Sequence, residues 1–311
     1  MSEPQFGEVQ MHVVKPKAPV IGRIVESTPC MKGRSASYVR HIAIDVSGTP
    51  LAGTFRAGQS FGVIPPGENE KGKPHAVRLY SISAPTWGED GKGCVVSTTC
   101  KRLIDEYSAP DSDEHHLFTG VCSNYLCDLK FGDEVLVSGP AGKRFLLPTE
   151  PSAHNYVFVA TGTGIAPFRG MVGELLEHPD GPSGSEIHLV IGVPYGTDLM
   201  YDDWFRDLSE RHANFHYHTV ISRPDVGRRM YVDQYIVETE DPFHRMLADE
   251  RTLLYICGIE GMQVGIYRLL QTLGVAGSYL KLPEEGLDLA EADHSVIKRI
   301  KPAARCMVEV Y

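Results

Sequence analysis

The chain changes character near residues 147–151, where two prolines flank Thr149-Glu150, and that change limits the possible folds more than any other feature. Before it, short runs of Val, Ile, Phe and Tyr are broken every eight to twelve residues or so by Gly, Pro and Asp, as at 38–44 (YVRHIAI), 94–99 (CVVSTT) and 134–137 (EVLV). That spacing predicts an antiparallel β-barrel or sandwich. After it, the apolar runs 155–160 (NYVFVA), 186–191 (EIHLVI), 214–221 (NFHYHTVI) and 252–257 (TLLYIC) alternate with longer helical stretches. Strand and helix in alternation predict a parallel α/β sheet with right-handed crossovers. A chain of 311 residues is long enough for two cores. We therefore expect a tail at 1–19, a β domain at 20–148 and an α/β domain at 149–311.

Composition excludes several classes. The formal charge of −10 argues against general nucleic-acid affinity, which needs clustered Lys and Arg. Seven cysteines, an odd number without a C-x-x-C pair, point neither to a disulfide framework nor to an iron–sulfur or zinc site. Free thiols fit a reducing compartment. No apolar run approaches the roughly 20 residues that span a bilayer, and the start MSEPQFGEVQ has no leader pattern, so a cytoplasmic protein without stable membrane insertion is expected.

The strand at 155–160 runs into Thr161-Gly162-Thr163-Gly164-Ile165-Ala166-Pro167-Phe168 and then a helical stretch, 169–177. Glycines there allow a strand to turn into a helix whose free N–H groups face an anion, the geometry that binds a pyrophosphate. A plain strand-to-helix connection uses the same residues. NAD enzymes place an acid at the tip of the next strand to hold the ribose hydroxyl; here it ends Ile191-Gly192-Val193-Pro194. The third strand leads instead to Ser222-Arg223, then Arg228-Arg229-Met230-Tyr231. Guanidiniums and a hydroxyl near a nucleotide suit a 2′-phosphate, because Arg binds phosphate bidentately. A solvated basic loop is the alternative.

In the first half, alternation places Arg78 and Tyr80 of Arg78-Leu79-Tyr80-Ser81 on one face, offering a charge for a phosphate and a plate for a ring. The small residues that begin 120–129 (GVCSNYLCDL) are fit to open a helix against a second phosphate. Cys257 closes the last apolar run, at the end of a parallel strand where such sheets bind ligands, although a buried Cys is usually packing. His212, His216 and His218 lack an acid or cysteine at ligand spacing, so no metal is expected. The chain ends in Val308-Glu309-Val310-Tyr311, an aromatic with nothing after it to pack beneath. It is a frayed end or a ring laid on something flat.

With these motifs in order, the chain closely resembles the plant-type ferredoxin–NADP⁺ reductases from about Val20 onward. The resemblance rests on 58–65 (GQSFGVIP), 72–75 (GKPH), 78–81 (RLYS), 120–129, 139–143 (GPAGK), 161–169 (TGTGIAPFR), Ser222-Arg223, Met230-Tyr231, 255–258 (YICG) and 308–311 (VEVY). It implies an N-terminal antiparallel FAD-binding β-barrel, a C-terminal Rossmann-like NADP-binding parallel-sheet domain, and an active site between them. By the same resemblance Arg78 pairs with the FAD pyrophosphate, Tyr80 stacks on the isoalloxazine within Arg78-Leu79-Tyr80-Ser81, and Ser81 bonds near flavin N5. Val121, Cys122 and Ser123 hold the pyrophosphate, and Thr99, Cys100 and Lys101 flank the cofactor. Tyr311 covers the other flavin face until nicotinamide displaces it, Cys257 packs on the nicotinamide, and Glu309 supplies charge and a proton route. Thr163, Val193, Pro194, Gly258 and Ile259 line the NADP channel, while Ser222, Arg223, Arg229 and Tyr231 read the 2′-phosphate and adenine.

The chain departs from the family pattern in three places. Asp105 stands where a tyrosine commonly stacks on FAD adenine, with Tyr107 two residues later; Asp233 replaces a glutamine near the NADP site; and Ala76 replaces a basic residue before RLYS. The expected activity is exchange of electrons between NADP(H) and a one-electron carrier, ferredoxin or flavodoxin, through FAD. Two rivals remain at this level: an NADPH-dependent reductase component feeding an oxygenase system, and a non-catalytic nucleotide-binding regulatory protein on the same fold.

Overall fold

The structure is a computed structural model that describes residues 3–33, 35, 37–108, 115–178, 180, 183–283 and 287–311, with backbone alone at 107, 108, 115 and 240. It divides into two compact units: one is Val9–Lys143, and the other comprises Arg144–Tyr311 together with Met1–Glu8. The chain thus enters the second unit ahead of the prolines at 148 and 151, because Phe145 and Leu146 are already buried there. The Phe145 ring lies 5.4 Å from Tyr255, whose hydroxyl donates to the Leu146 carbonyl at 2.6 Å. The expected tail is divided between the units, residues 3–8 lying in the second and 9–19 in the first. The Gln5 carbonyl accepts from Thr149 N at 2.9 Å, whereas buried Val14 pairs with Gly139.

In the first unit the strands are β1 (Val20–Pro29), β2 (Val39–Asp45), β3 (Ser60–Ile64), β4 (Arg78–Ser81), β5 (Val95–Lys101), β6 (Ile104–Ser108), β7 (His115–Thr119) and β8 (Glu134–Ala141); helix α1 (Val121–Asp128) follows β7. Six of them form one antiparallel sheet in the order β4-β3-β8-β1-β2-β5. Its two edges meet. Ile82, just after β4, pairs with Thr98 of β5, and the Thr98 hydroxyl donates to the Ser81 carbonyl at 2.8 Å, which closes the sheet as a barrel. Alternation turns Ile24, Ile42, Phe61, Val63 and Val137 inward to a core that Leu126 of α1 completes. Full burial contributes about 1.5–3 kcal/mol for each such side chain.

The second unit continues with β9 (Asn155–Thr161), β10 (Ile187–Val193), β11 (Phe215–Ile221), β12 (Thr252–Gly258), β13 (Leu280–Lys281), β14 (Lys301–Pro302) and β15 (Cys306–Val310). Its helices are α2 (Ala166–Glu177), α3 (Asp202–Arg211), α4 (Val232–Glu238), α5 (Glu240–Ala248), α6 (Glu260–Thr272), α7 (Ala276–Tyr279) and α8 (His294–Ile297). Five strands pair in parallel in the order β11-β10-β9-β12-β15. β9 and β12 are apolar along almost their whole length because helices cover both faces of such a sheet. One face packs on Val264, Tyr267 and Leu270 of α6 and Phe243 of α5. On α3 the Trp204 ring lies 4.9 Å from Phe205 and beneath the Arg169 guanidinium, 5.6 Å away. Among the described residues no helix is long and apolar enough to cross a membrane.

Candidate functional site

In the barrel unit, β4 presents its motif at an edge. Arg78 and Leu79 are exposed, whereas Tyr80 and Ser81 are half-buried. Burial pushes the Tyr80 phenol well above its ordinary value, with the Cys100 and Cys122 thiols adding to the effect, so the ring remains neutral. Thr99 and Cys100 of β5 are buried, and Lys101 turns outward. Helix α1 begins at Val121 with Gly120 as its cap, and no side chain caps it. A Cβ at Gly120 would stand 2.7 Å from Ser123 Oγ and 2.9 Å from Leu103 Cβ, so glycine is what lets the chain close there. The first N–H groups of a helix, here those of Val121, Cys122 and Ser123, have no acceptor within it and carry its positive end. Ser123 Oγ donates to Gly120 O and accepts from Leu103 N, both at 3.2 Å, which holds this turn in place.

Sequence reasoning did not anticipate the β6–β7 hairpin, whose tip, 109–114, lies outside the described residues. Asp105 pairs with Phe118, and Ile104, Leu117 and Phe118 are all more than half exposed. An aromatic plate therefore faces the position where Asp105 lacks one. The signal was the pair Leu117-Phe118 itself, apolar residues without an apolar partner at strand spacing.

In the second unit, the candidate residues gather beyond the carboxyl ends of the parallel strands. β9 leads into a tight 3₁₀ turn, Gly162–Ile165, before α2, so the glycine segment is itself helical and Pro167 falls in the first turn of α2. Gly162 has φ +53 and faces open space, while a Cβ at Gly164 would lie 2.1 Å from the Cys257 carbonyl. A Cβ at Gly258 would meet Thr161 Oγ1 at the same distance. These glycines bring the turn onto the end of β12, where Thr161 Oγ1 accepts from Ile259 N at 3.0 Å. β10 ends at Val193-Pro194, whose carbonyls accept from Ser222 N at 2.9 Å and Arg223 N at 2.8 Å.

β15 runs beside β12 with Glu309 opposite Cys257 and Val310 opposite Gly258. Tyr311 N donates to the Gly258 carbonyl at 3.0 Å. The Tyr311 hydroxyl lies 2.7 Å from Thr163 Oγ1, so the side chain is fastened to the glycine turn although the residue as a whole is exposed. It is not frayed. Burial raises the Glu309 carboxyl to about 7 and pushes the Cys257 thiol far up, the nearby Glu309 charge adding to the latter. Beyond β11, Arg223 is exposed, Arg228 pairs with Glu238, and the Arg229 guanidinium lies over the Tyr231 ring at 4.9 Å and bonds its hydroxyl. Tyr231 N donates to Gln234 Oε1 at 3.0 Å at the start of α4.

The open turn at Gly162, the exposed pair of guanidiniums and the missing acid at Val193-Pro194 fit a nucleotide with a 2′-phosphate. The uncapped start of α1 beside exposed Arg78 fits a pyrophosphate.

Residues 158–267 match the family described as an oxidoreductase NAD-binding domain. Over 316 residues the chain is 34% identical to the chloroplastic leaf isozyme 1 of ferredoxin–NADP reductase from Arabidopsis thaliana, covering 100% of this chain and 82% of that one. The chain belongs to the ferredoxin–NADP reductase family. It is also 35% identical over 270 residues to the ferredoxin–NADP reductase of Synechocystis sp., covering 85% of this chain but 63%, less than two thirds, of that protein. The solved structure of ferredoxin–NADP⁺ reductase from Plasmodium falciparum with 2′P-AMP has a TM-score of 0.73 over 98% of this chain and 100% of that chain; at 22% identity it speaks to the fold alone. The ferredoxin–NADP reductase fold accounts for both the barrel and the five-stranded sheet.

Proposed function

We propose that the protein exchanges electrons between NADP(H) and a one-electron carrier, ferredoxin or flavodoxin, with FAD as its resident cofactor. The observation that carries this reading is the fastening of the C-terminal strand at the ligand-binding edge of the parallel sheet, with Glu309 beside Cys257 and Tyr311 on the glycine turn. A binding protein has no use for a near-neutral carboxyl and a detachable ring at that edge. Ferredoxin–NADP reductases from a cyanobacterium and a plant are among the relatives.

FAD, when bound, supplies the exchange between a two-electron hydride and single electrons. The chain's own residues bind and orient. Arg78 and the N–H groups of Val121, Cys122 and Ser123 hold the cofactor's pyrophosphate; Tyr80, held neutral by burial, presents a flat face to its ring, with Ser81 and Thr99–Lys101 beside it. Leu79 shields the cofactor from water, and Phe118 takes the adenine. Thr163, Val193, Pro194, Gly258 and Ile259 guide the coenzyme, and Ser222, Arg223, Arg229 and Tyr231 read its 2′-phosphate and adenine. Tyr311 occupies the turn that the nicotinamide end requires and leaves it when coenzyme enters. Cys257 packs against the nicotinamide, and Glu309, poised near neutrality, takes or returns a proton at its carboxylate. We place the protein in the cytoplasm, a reading supported by the buried residues Cys100 and Cys127, which are free cysteines with their sulfurs 3.9 Å apart.

Stopped-flow mixing of the FAD-loaded protein with NADPH, then with candidate carriers, tests the reading. Rapid bleaching of the flavin band followed by reoxidation by ferredoxin or flavodoxin is expected. Reoxidation by an oxygenase component alone would move the protein to the oxygenase systems, and an unbleached flavin would make it a nucleotide binder.

A further inference from the structure

The amino ends of the parallel strands carry a second group of chemistry-bearing side chains, away from the nucleotide edge. β10 and β11 pair with His188 opposite His216, and the two rings stack with centroids 4.4 Å apart. Glu186 lies two residues before His188 and so on the same face, and its Oε1 is 3.2 Å from His188 Nε2. No acid was expected near these histidines, because the sequence places Glu186 far from His216 and the parallel register alone joins them. A ligand atom of each of the three lies within 4.8 Å of the others. We propose that Glu186, His188 and His216 form a binding site for a borderline divalent cation, Zn²⁺ foremost, independent of the coenzyme site.

The donor set is two imidazoles and a carboxylate, which suits Zn²⁺ with one position left to water. Ligands about 2.0–2.1 Å from a tetrahedral zinc stand roughly 3.3 Å apart. The Glu186–His188 pair already has that separation, and side-chain rotation of half-buried His216 closes the rest. His188, 1% exposed, is the fixed point. Its Nδ1 lies 3.0 Å from His218 Nε2, and His218 Nδ1 lies 2.9 Å from the Tyr235 hydroxyl, a chain of the kind that sets the tautomer and orientation of a ligating imidazole. The competitor for Glu186 is the Arg245 guanidinium at 3.5 Å. Its side chain is 67% exposed and has Asp241 as a second partner at 3.7 Å, so it withdraws without being left alone.

Calorimetric titration of Zn²⁺ into metal-stripped, FAD-loaded protein tests the site. One tight equivalent is expected, with zinc-edge X-ray absorption showing nitrogen and oxygen neighbours and no sulfur. His216→Gln and Glu186→Gln should each abolish the tight equivalent while circular dichroism remains unchanged, and Tyr235→Phe, which frees one end of the supporting chain, should weaken binding about 10-fold or more. Arg245→Ala should tighten it. The proposal is overturned if no tight equivalent appears, if sulfur is among the neighbours, or if both Gln variants bind as the parent does; the cluster is then a stack of histidines held by Glu186.

Discussion

A carboxyl that ionises near pH 7 is a different reagent from one that ionises near 4.5, and Glu309 is of the first kind. Its folded-state value is raised, so the folded protein holds this proton more tightly than the unfolded chain. Stability from this group therefore falls as pH rises from 4.5 to about 7, by on the order of 3 kcal/mol. Glu309→Gln should be about as stable as the parent at pH 4.5 and more stable at pH 8, with a flatter dependence of hydride-transfer rate on pH around 7; melting curves and single-turnover reduction across that range check both. Tyr311 is the second residue with a separable role in the proposed mechanism. Tyr311→Ser removes the ring and its contacts with the glycine turn, so NADP⁺ no longer has to displace them. Affinity should rise, and turnover should slow as product leaves reluctantly. Tyr311→Phe keeps the ring and loses the bond to Thr163, a change of about 0.5–1.5 kcal/mol, so its affinity gain should be smaller. NADP⁺ titration of the flavin spectrum orders the three proteins, and equal affinities would remove the gating role. At this scale the sequence pointed to Cys257, Glu309 and Tyr311 through resemblance to a family, while burial, which turns Glu309 into a near-neutral acid, belongs to tertiary packing and left no local trace.

Gly164 carries an element-level demand, since the 3₁₀ turn and the end of β12 approach each other across its missing side chain. Gly164→Ala forces a Cβ into the Cys257 carbonyl, a backbone atom that cannot step aside. Overpacking of this kind costs about 1–3 kcal/mol, and the shift also moves the N–H groups proposed to meet the coenzyme. We expect a lower melting temperature together with weaker NADP⁺ binding; Gly162→Ala, in open space but at positive φ, should show backbone strain without the clash. β2, β5 and β8 of the barrel and β9–β12 of the parallel sheet were legible as apolar runs, whereas β1 and the edge strand β15 were not read as strands. Nor was the β6–β7 hairpin, because neither strand shows an alternating face and Leu117 and Phe118 remain exposed. Strand register was equally hidden: it decides that Glu186 meets His188 and His216, and no spacing along the chain reports it.

Over the whole molecule, the boundary lay close to the change of texture but was set by burial of Phe145 and Leu146 rather than by the prolines after them. The N-terminal segment was misjudged for a related reason. Pro4 is buried and the Gln5 carbonyl accepts from both Thr149 N and Thr149 Oγ1, at 2.9 and 3.2 Å, yet nothing in so short a polar stretch announces its partners. Deleting residues 1–8 should therefore destabilise the α/β unit by about 1–3 kcal/mol, while the barrel, to which the Gln10 carbonyl is tied by Gln59 Nε2 at 3.1 Å, should melt as before; circular dichroism and differential scanning calorimetry of the FAD-loaded protein distinguish the two. The chain has two tryptophans, Trp87 in the barrel unit and Trp204 in the other. Each unit thus owns a single indole emitter. In Trp87→Phe all tryptophan fluorescence comes from α3, beside Phe205 and under Arg169, so the α/β unit can be watched unfolding by itself without any label attached.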